Sequence, residues 1–156
     1  MTISLSVNLN KVALLRNSRT DNNPSIEEFA NICLDAGAKG LTAHPRPDQR
    51  HIRPTDIPLL SNIAKQRSVE FNIEGNPFCA ALGDYPGLIE LVKSVRPEQC
   101  TLVPDANDQL TSDHGFDLTK DFGRLIPIVK ELNELGTRVS LFMDCLLYTS
   151  PSPRDA

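Results

Sequence analysis

The stretch Gly40-Leu-Thr-Ala-His44-Pro-Arg46-Pro-Asp48-Gln-Arg50-His51 joins a short apolar run to a loop holding two histidines, two arginines and an aspartate. A buried strand that ends in a cationic, imidazole-bearing loop is what a parallel barrel needs to deliver proton-transfer groups and phosphate ligands to the carboxyl end of its sheet. A second run behaves alike. Val69-Glu-Phe-Asn-Ile-Glu74-Gly75 ends in a carboxylate just before a turn, placing a candidate general base where the next strand stops.

Outward from these two runs the chain alternates between strand and helix patterns. Ile3 to Asn8 alternates as a strand, and Ser25 with Glu28 forms a capping-box pair that opens a helix. The apolar stripe of that helix reads as Ile26, Phe29, Ala30 and Cys33, and Gly37 supplies its stop. Gly40 to His44 is the second strand. Thr55 starts a second helix with Ile57, Leu60, Ile63 and Ala64 facing inward and Pro58 in the tolerant first turn. Glu70 to Glu74, Gln99 to Pro104 and Arg138 to Asp144 give three further strands. Between them lie a helix over Pro86 to Val95 and another over Leu118 to Leu135. Phe122, Leu125, Ile126, Val129 and Leu132 form the stripe of the latter, Pro127 marks a kink or a late start, and Gly136 ends it.

Strand and helix alternating at this spacing predict an α/β fold with a parallel sheet. No glycine-rich dinucleotide fingerprint follows the first strand. Polar residues recur instead at the ends of several strands, namely Asn8, His44, Glu74, Asp105 and Asp144. In a barrel such ends converge on one mouth, whereas an open doubly wound sheet binds at a single switch point. The expectation is therefore an incomplete (βα)8 TIM barrel with about five strands and four helices. Beyond Asp144 the run Leu146-Leu-Tyr-Thr-Ser-Pro-Ser-Pro-Arg-Asp-Ala156 has no helical stripe and reads as a non-native, disordered tail resembling read-through of a library adapter.

Composition narrows the partners. With 40% apolar and 23% charged residues the chain is of ordinary globular type. It carries neither a membrane-length apolar run nor a signal-peptide pattern, so a cytoplasmic protein is expected. Cys33, Cys79, Cys100 and Cys145 are scattered and read as reduced thiols. A net charge of -4 disfavours nucleic acid and makes the arginine-rich loop a local site for small anions. A metal site from His44, His51 and Asp48 is disfavoured by the neighbouring cations. Arg50, Arg53 and Asp48 read as a solvated charged loop, and His114 as decoration of the mouth.

Taken together, Ser6-Val-Asn8-Leu-Asn-Lys11-Val-Ala-Leu-Leu-Arg16-Asn-Ser-Arg19, the segment from Gly40 to Ile52, Phe71-Asn-Ile-Glu74-Gly and Thr101-Leu-Val-Pro104-Asp resemble the pyridoxine 5'-phosphate synthase family in order and spacing. The resemblance runs from residue 1 to about Asp144. It implies that residues 1–145 are the N-terminal part of a TIM-barrel synthase domain, with 146–156 outside it. Family members condense 3-amino-2-oxopropyl phosphate with 1-deoxy-D-xylulose 5-phosphate, giving pyridoxine 5'-phosphate, phosphate and water in vitamin B6 biosynthesis. The resemblance implies an octamer that works without metal or organic cofactor.

By the same resemblance, His44 and Glu74 match proton acceptors. Arg46, His51 and Thr111 match residues holding deoxyxylulose phosphate, and Asn8 and Arg19 match residues holding the aminoketone phosphate. Asn10-Lys11 stands where many members carry Asp-His, and both residues are kept as substrate-binding candidates; lysine can neutralise a phosphate but is no near-neutral proton carrier. A proton-donor histidine, a transition-state glutamate and a late phosphate loop belong to the family's sixth to eighth strands, so little or no turnover is expected of the stretch as given. Two other classes stay open: another phosphate-handling barrel enzyme of aldolase or isomerase type, and a noncatalytic half-barrel that pairs through exposed strands.

Overall fold

The computed structural model describes residues 3–144, and the tail reading of 146–156 lies outside the described residues. The chain runs β1 (Ser6–Asn8), α1 (Asn10–Asn17), α2 (Ile26–Asp35), β2 (Gly40–Ala43), α3 (Asp56–Arg67), β3 (Glu70–Gly75), α4 (Leu88–Val95), β4 (Gln99–Leu102), α5 (Leu118–Glu134) and β5 (Arg138–Leu141). All five strands are parallel and neighbour one another in chain order, β1-β2-β3-β4-β5. A doubly wound sheet reverses its order at a switch point; a sheet that never reverses is the arrangement of successive βα units in a TIM barrel.

The two faces of the sheet differ. Leu41, Ala43, Phe71, Ile73, Cys100 and Leu102 are fully or almost fully buried against a helical layer that contributes Ile57, Leu60, Leu88, Val92 and Leu132. Each leucine, isoleucine, valine and phenylalanine among them contributes roughly 1.5–3 kcal/mol by its burial. The opposite face is polar. Ser6 and Thr42 share a hydroxyl hydrogen bond of 2.9 Å, Asn72 Nδ2 donates to Thr42 Oγ1 at 3.4 Å, and Thr101 Oγ1 donates to Asn72 Oδ1 at 3.0 Å. This ladder crosses four strands and satisfies polar groups that burial would otherwise penalise.

Several elements differ from expectation for physical reasons. Helix α1 was not expected, because its inward face is closed by Ala13 and the cation Arg16 instead of an apolar stripe, while Leu14 and Leu15 are exposed. In α2 the cap forms as expected, with Glu28 N donating to Ser25 Oγ, but Phe29 is exposed and the buried positions are Ile26, Ala30 and Leu34. Gly37 and Gly136 follow their helices with φ of +106° and +82°, the left-handed geometry a helix stop asks of glycine. Helix α5 runs unbroken through Pro127, which simply donates no hydrogen bond to Gly123. Only Leu125 and Leu132 of its stripe are buried. Phe122 and Ile126 line an outward apolar groove beside β5, one of the two edge strands among the described residues. β1 and β5 are shorter than the alternating patterns that announce them.

Candidate active site

The strand ends supply the site. His44 follows β2, whose Ala43 pairs with Ile73, so residue 44 leaves the sheet beside Glu74 of β3. The backbone N–H of His44 donates to Asn10 Oδ1 at 2.9 Å, which ties the start of α1 to the end of β2. Asn8 Nδ2 donates to Glu74 Oε2 at 3.2 Å, and Asn8 Oδ1 accepts from the N–H of Asn10. The first strand and helix therefore brace both proton-transfer candidates.

A cavity of about 370 Å³ opens between these ends, lined by Asn10, Lys11, Leu14, His44, Arg46, Arg50, His51, Leu110, Thr111 and Ser112. It gathers six of the residues singled out from the sequence: Asn10, Lys11, His44, Arg46, His51 and Thr111. Asn8 and Glu74, hydrogen-bonded to each other, fall outside its lining. Arg19 is not among the lining residues; it is exposed, just past the end of α1.

Arg50 corrects the sequence reading. It is no solvated loop residue: its guanidinium donates to the carbonyls of Asn107, Gln109 and Leu110 as well as to Asp48, stapling the loop after β2 to the loop after β4. Arg46 joins the same staple by donating to Gln109 O at 2.7 Å, and its other nitrogen pairs with the buried carboxylate of Asp105. Behind the loop sits a buried ion pair. Arg16 donates two hydrogen bonds to Asp56, at 2.7 and 3.0 Å, and a third to His51 O, while Asp56 Oδ2 accepts the N–H of Arg53. Asn17 adds bonds to the carbonyls of Gln49 and His51. Asp105, Arg16, Asn17 and Asp56 escaped the sequence reading; only Asp105 carried a signal, as a polar residue at a strand end.

Burial, reinforced by the nearby cations, sets the protonation of His44 and His51. Burial, then the guanidinium of Arg46, drives His44 down to about 3, and the same causes in the same order bring His51 to about 4. The imidazole rings lie 6.0 Å apart between centroids and are neutral at neutral pH. The N–H of Ile52 donates to His51 Nδ1 at 2.9 Å, so His51 carries its proton on Nε2. Glu74 is raised, first by burial and then by the charge of Asp105. A neutral imidazole able to accept a proton, a carboxyl with raised affinity for one, and convergent cations suit a phosphorylated substrate that undergoes proton transfers. Among the described residues no set of three His, Cys, Asp or Glu side chains is arranged to hold a metal ion.

These shifts have a sign. A histidine whose folded value lies below its unfolded value of about 6.5 binds fewer protons when folded, so stability falls with pH from about 6.5 toward 4. Glu74 acts oppositely, since its raised carboxyl favours the folded state at acid pH and costs stability as it ionises above its ordinary range. We expect the thermal midpoint to fall between pH 7 and pH 4.5, and to fall less in His44→Gln. An unchanged pH dependence in that variant would contradict a buried, neutral His44.

Comparison with known proteins points one way. A family model described as pyridoxal phosphate biosynthesis protein PdxJ matches residues 5–149. The pyridoxine 5'-phosphate synthase of Xanthomonas axonopodis pv. citri (strain 306) is 56% identical over 144 residues, which is 92% of this chain and 56% of that protein. That of Xanthomonas oryzae pv. oryzae (strain MAFF 311018) is 55% identical over the same length, and that of Xylella fastidiosa (strain 9a5c) 54% identical over 140 residues. The chain spans about half the length of the curated relatives it matches.

Proposed function

The chain belongs to the PdxJ family of pyridoxal phosphate biosynthesis proteins, and from that membership we propose that it carries the substrate-gripping half of a pyridoxine 5'-phosphate synthase site, a ring-forming transferase. The substrates are 1-deoxy-D-xylulose 5-phosphate and 3-amino-2-oxopropyl phosphate, condensed to pyridoxine 5'-phosphate with loss of phosphate and water. His44 and Glu74 are the proton acceptors, Arg46, His51 and Thr111 with Asn10 and Lys11 hold the deoxyxylulose phosphate, and Asn8 and Arg19 hold the aminoketone phosphate. Cytoplasmic location and an octameric assembly of the whole protein belong to the same reading. None of the described helices is long and apolar enough to cross a membrane.

One observation carries the proposal: the cavity whose lining gathers His44 with Lys11, Arg46, Arg50 and His51 at the carboxyl ends of parallel strands. A phosphate ester there meets planar guanidinium forks and a lysine, and its carbon skeleton meets a neutral base.

Calorimetric titration of the purified chain tests it. Saturable binding of 1-deoxy-D-xylulose 5-phosphate is expected, with no binding of the unphosphorylated sugar. Equal affinity across a panel of unrelated sugar phosphates would favour the aldolase or isomerase reading, and absence of binding by any phosphorylated sugar would overturn the assignment.

A further inference from the structure

Asp105 is buried more deeply than any other carboxylate near the cavity, at 4% exposure, and it lies outside the set of residues assigned above. Its surroundings are built around it. Oδ2 takes the guanidinium of Arg46 and the hydroxyl of Ser112, the latter at 2.8 Å, while its carbonyl accepts from Asn76 Nδ2 at 2.6 Å. His44 Nε2 stands 3.7 Å from the same Oδ2. Oδ1 is buried with no hydrogen-bond partner among the described residues. A carboxylate installed only for packing would not leave one buried oxygen bare, since unsatisfied acceptors are costly and cluster where function requires the charge.

We propose that Asp105 is a positioning residue for His44: its carboxylate keeps the proton of the neutral imidazole on Nε2 and leaves Nδ1 as the ring's proton-accepting atom, while the same oxygen steadies Arg46. The tautomer follows from elementary electrostatics. An Nε2 lone pair facing a carboxylate oxygen 3.7 Å away is repelled, whereas an Nε2–H is attracted. Nε2 is thereby excluded as the acceptor. When Nδ1 takes a proton from a substrate atom, the electron pair stays on that atom and the ring becomes an imidazolium. The new positive charge then lies beside Asp105, which stabilises it as it forms. The neutral resting ring is consistent with its burial and with the cations around it.

The inference rests on the proposed function for its meaning, but its test needs no substrate. Nitrogen-15 spectra of the histidine side chains at pH 7, assigned with His44→Gln, should place the His44 proton on Nε2 in the parent chain. In Asp105→Asn the amide oxygen can still accept from Arg46 and Ser112, so the fold is retained, yet the His44 resonances should shift toward a mixture of both tautomers. His51, whose Nδ1 is held by the N–H of Ile52, serves as the internal control and should not change. A parent His44 protonated on Nδ1, or spectra identical in parent and Asp105→Asn, would overturn the assignment. The parent spectrum alone decides the first point should the variant fold poorly. Loss of sugar-phosphate binding with the Nε2–H tautomer intact would count against the function and leave the role of Asp105 standing.

Discussion

Replacing Asp56 with alanine should lower the unfolding free energy by about 3–5 kcal/mol, the usual cost of stripping one partner from a buried ion pair. Arg16 is 4% exposed in its side chain and Asp56 8%, so the guanidinium left behind would keep a charge with neither water nor counter-ion. The carboxylate also accepts the N–H of Arg53, and Arg16 reaches His51 O, so the change should loosen the loop that presents Arg46, Arg50 and His51. Urea unfolding followed by circular dichroism measures the first effect through the midpoint at constant slope. The paired change Arg16→Met with Asp56→Leu removes both charges and should recover most of the loss, because burial of two apolar groups replaces a costly desolvated pair. A single variant within about 1 kcal/mol of the parent would show that the pair does not hold the loop.

Changing Arg46 to methionine should weaken 1-deoxy-D-xylulose 5-phosphate binding roughly 30- to 1,000-fold, corresponding to about 2–4 kcal/mol. Two losses combine. The phosphate loses a planar two-pronged donor, and Asp105 becomes a buried anion facing the anionic ligand without its guanidinium. The double variant Arg46→Met with Asp105→Asn removes the second loss and should recover part of the affinity. Arg19→Ala makes the contrast. Since Arg19 is exposed and does not line the cavity, its removal should alter this ligand's affinity by less than about threefold, well below 1.4 kcal/mol. Equal losses for Arg19 and Arg46 in calorimetric titrations would mean that the cavity lined by Arg46 is not where the phosphate sits.

Local chemistry along the chain determined more of this arrangement than composition did. The runs ending at His44 and Glu74 lie on adjacent parallel strands, because apolar stretches bounded by turns have few other ways to bury both faces. Ser25 capped its helix, and Gly37 and Gly136 stopped theirs, through bonds and dihedrals that reach no further than a few residues. Stripes were less legible. Phe29, Phe122 and Ile126 repeat at helical spacing but face outward, since spacing defines a face and only the neighbouring elements decide whether that face is covered. Helix α1 was illegible for the opposite reason, its inward face being completed by a cation whose counter-ion lies forty residues along the chain.

By itself, then, the order of residues determined the class of fold, the strand ends and the polar groups mounted there, because these depend on periodicity and short-range bonding. What belonged to the tertiary structure was the pairing of charges: Arg16 with Asp56, Arg46 with Asp105, and Arg50 with the carbonyls of a distant loop. Such partners are chosen by proximity in space and by the cost of leaving a buried charge alone. Neither quantity exists until the strands have been laid side by side.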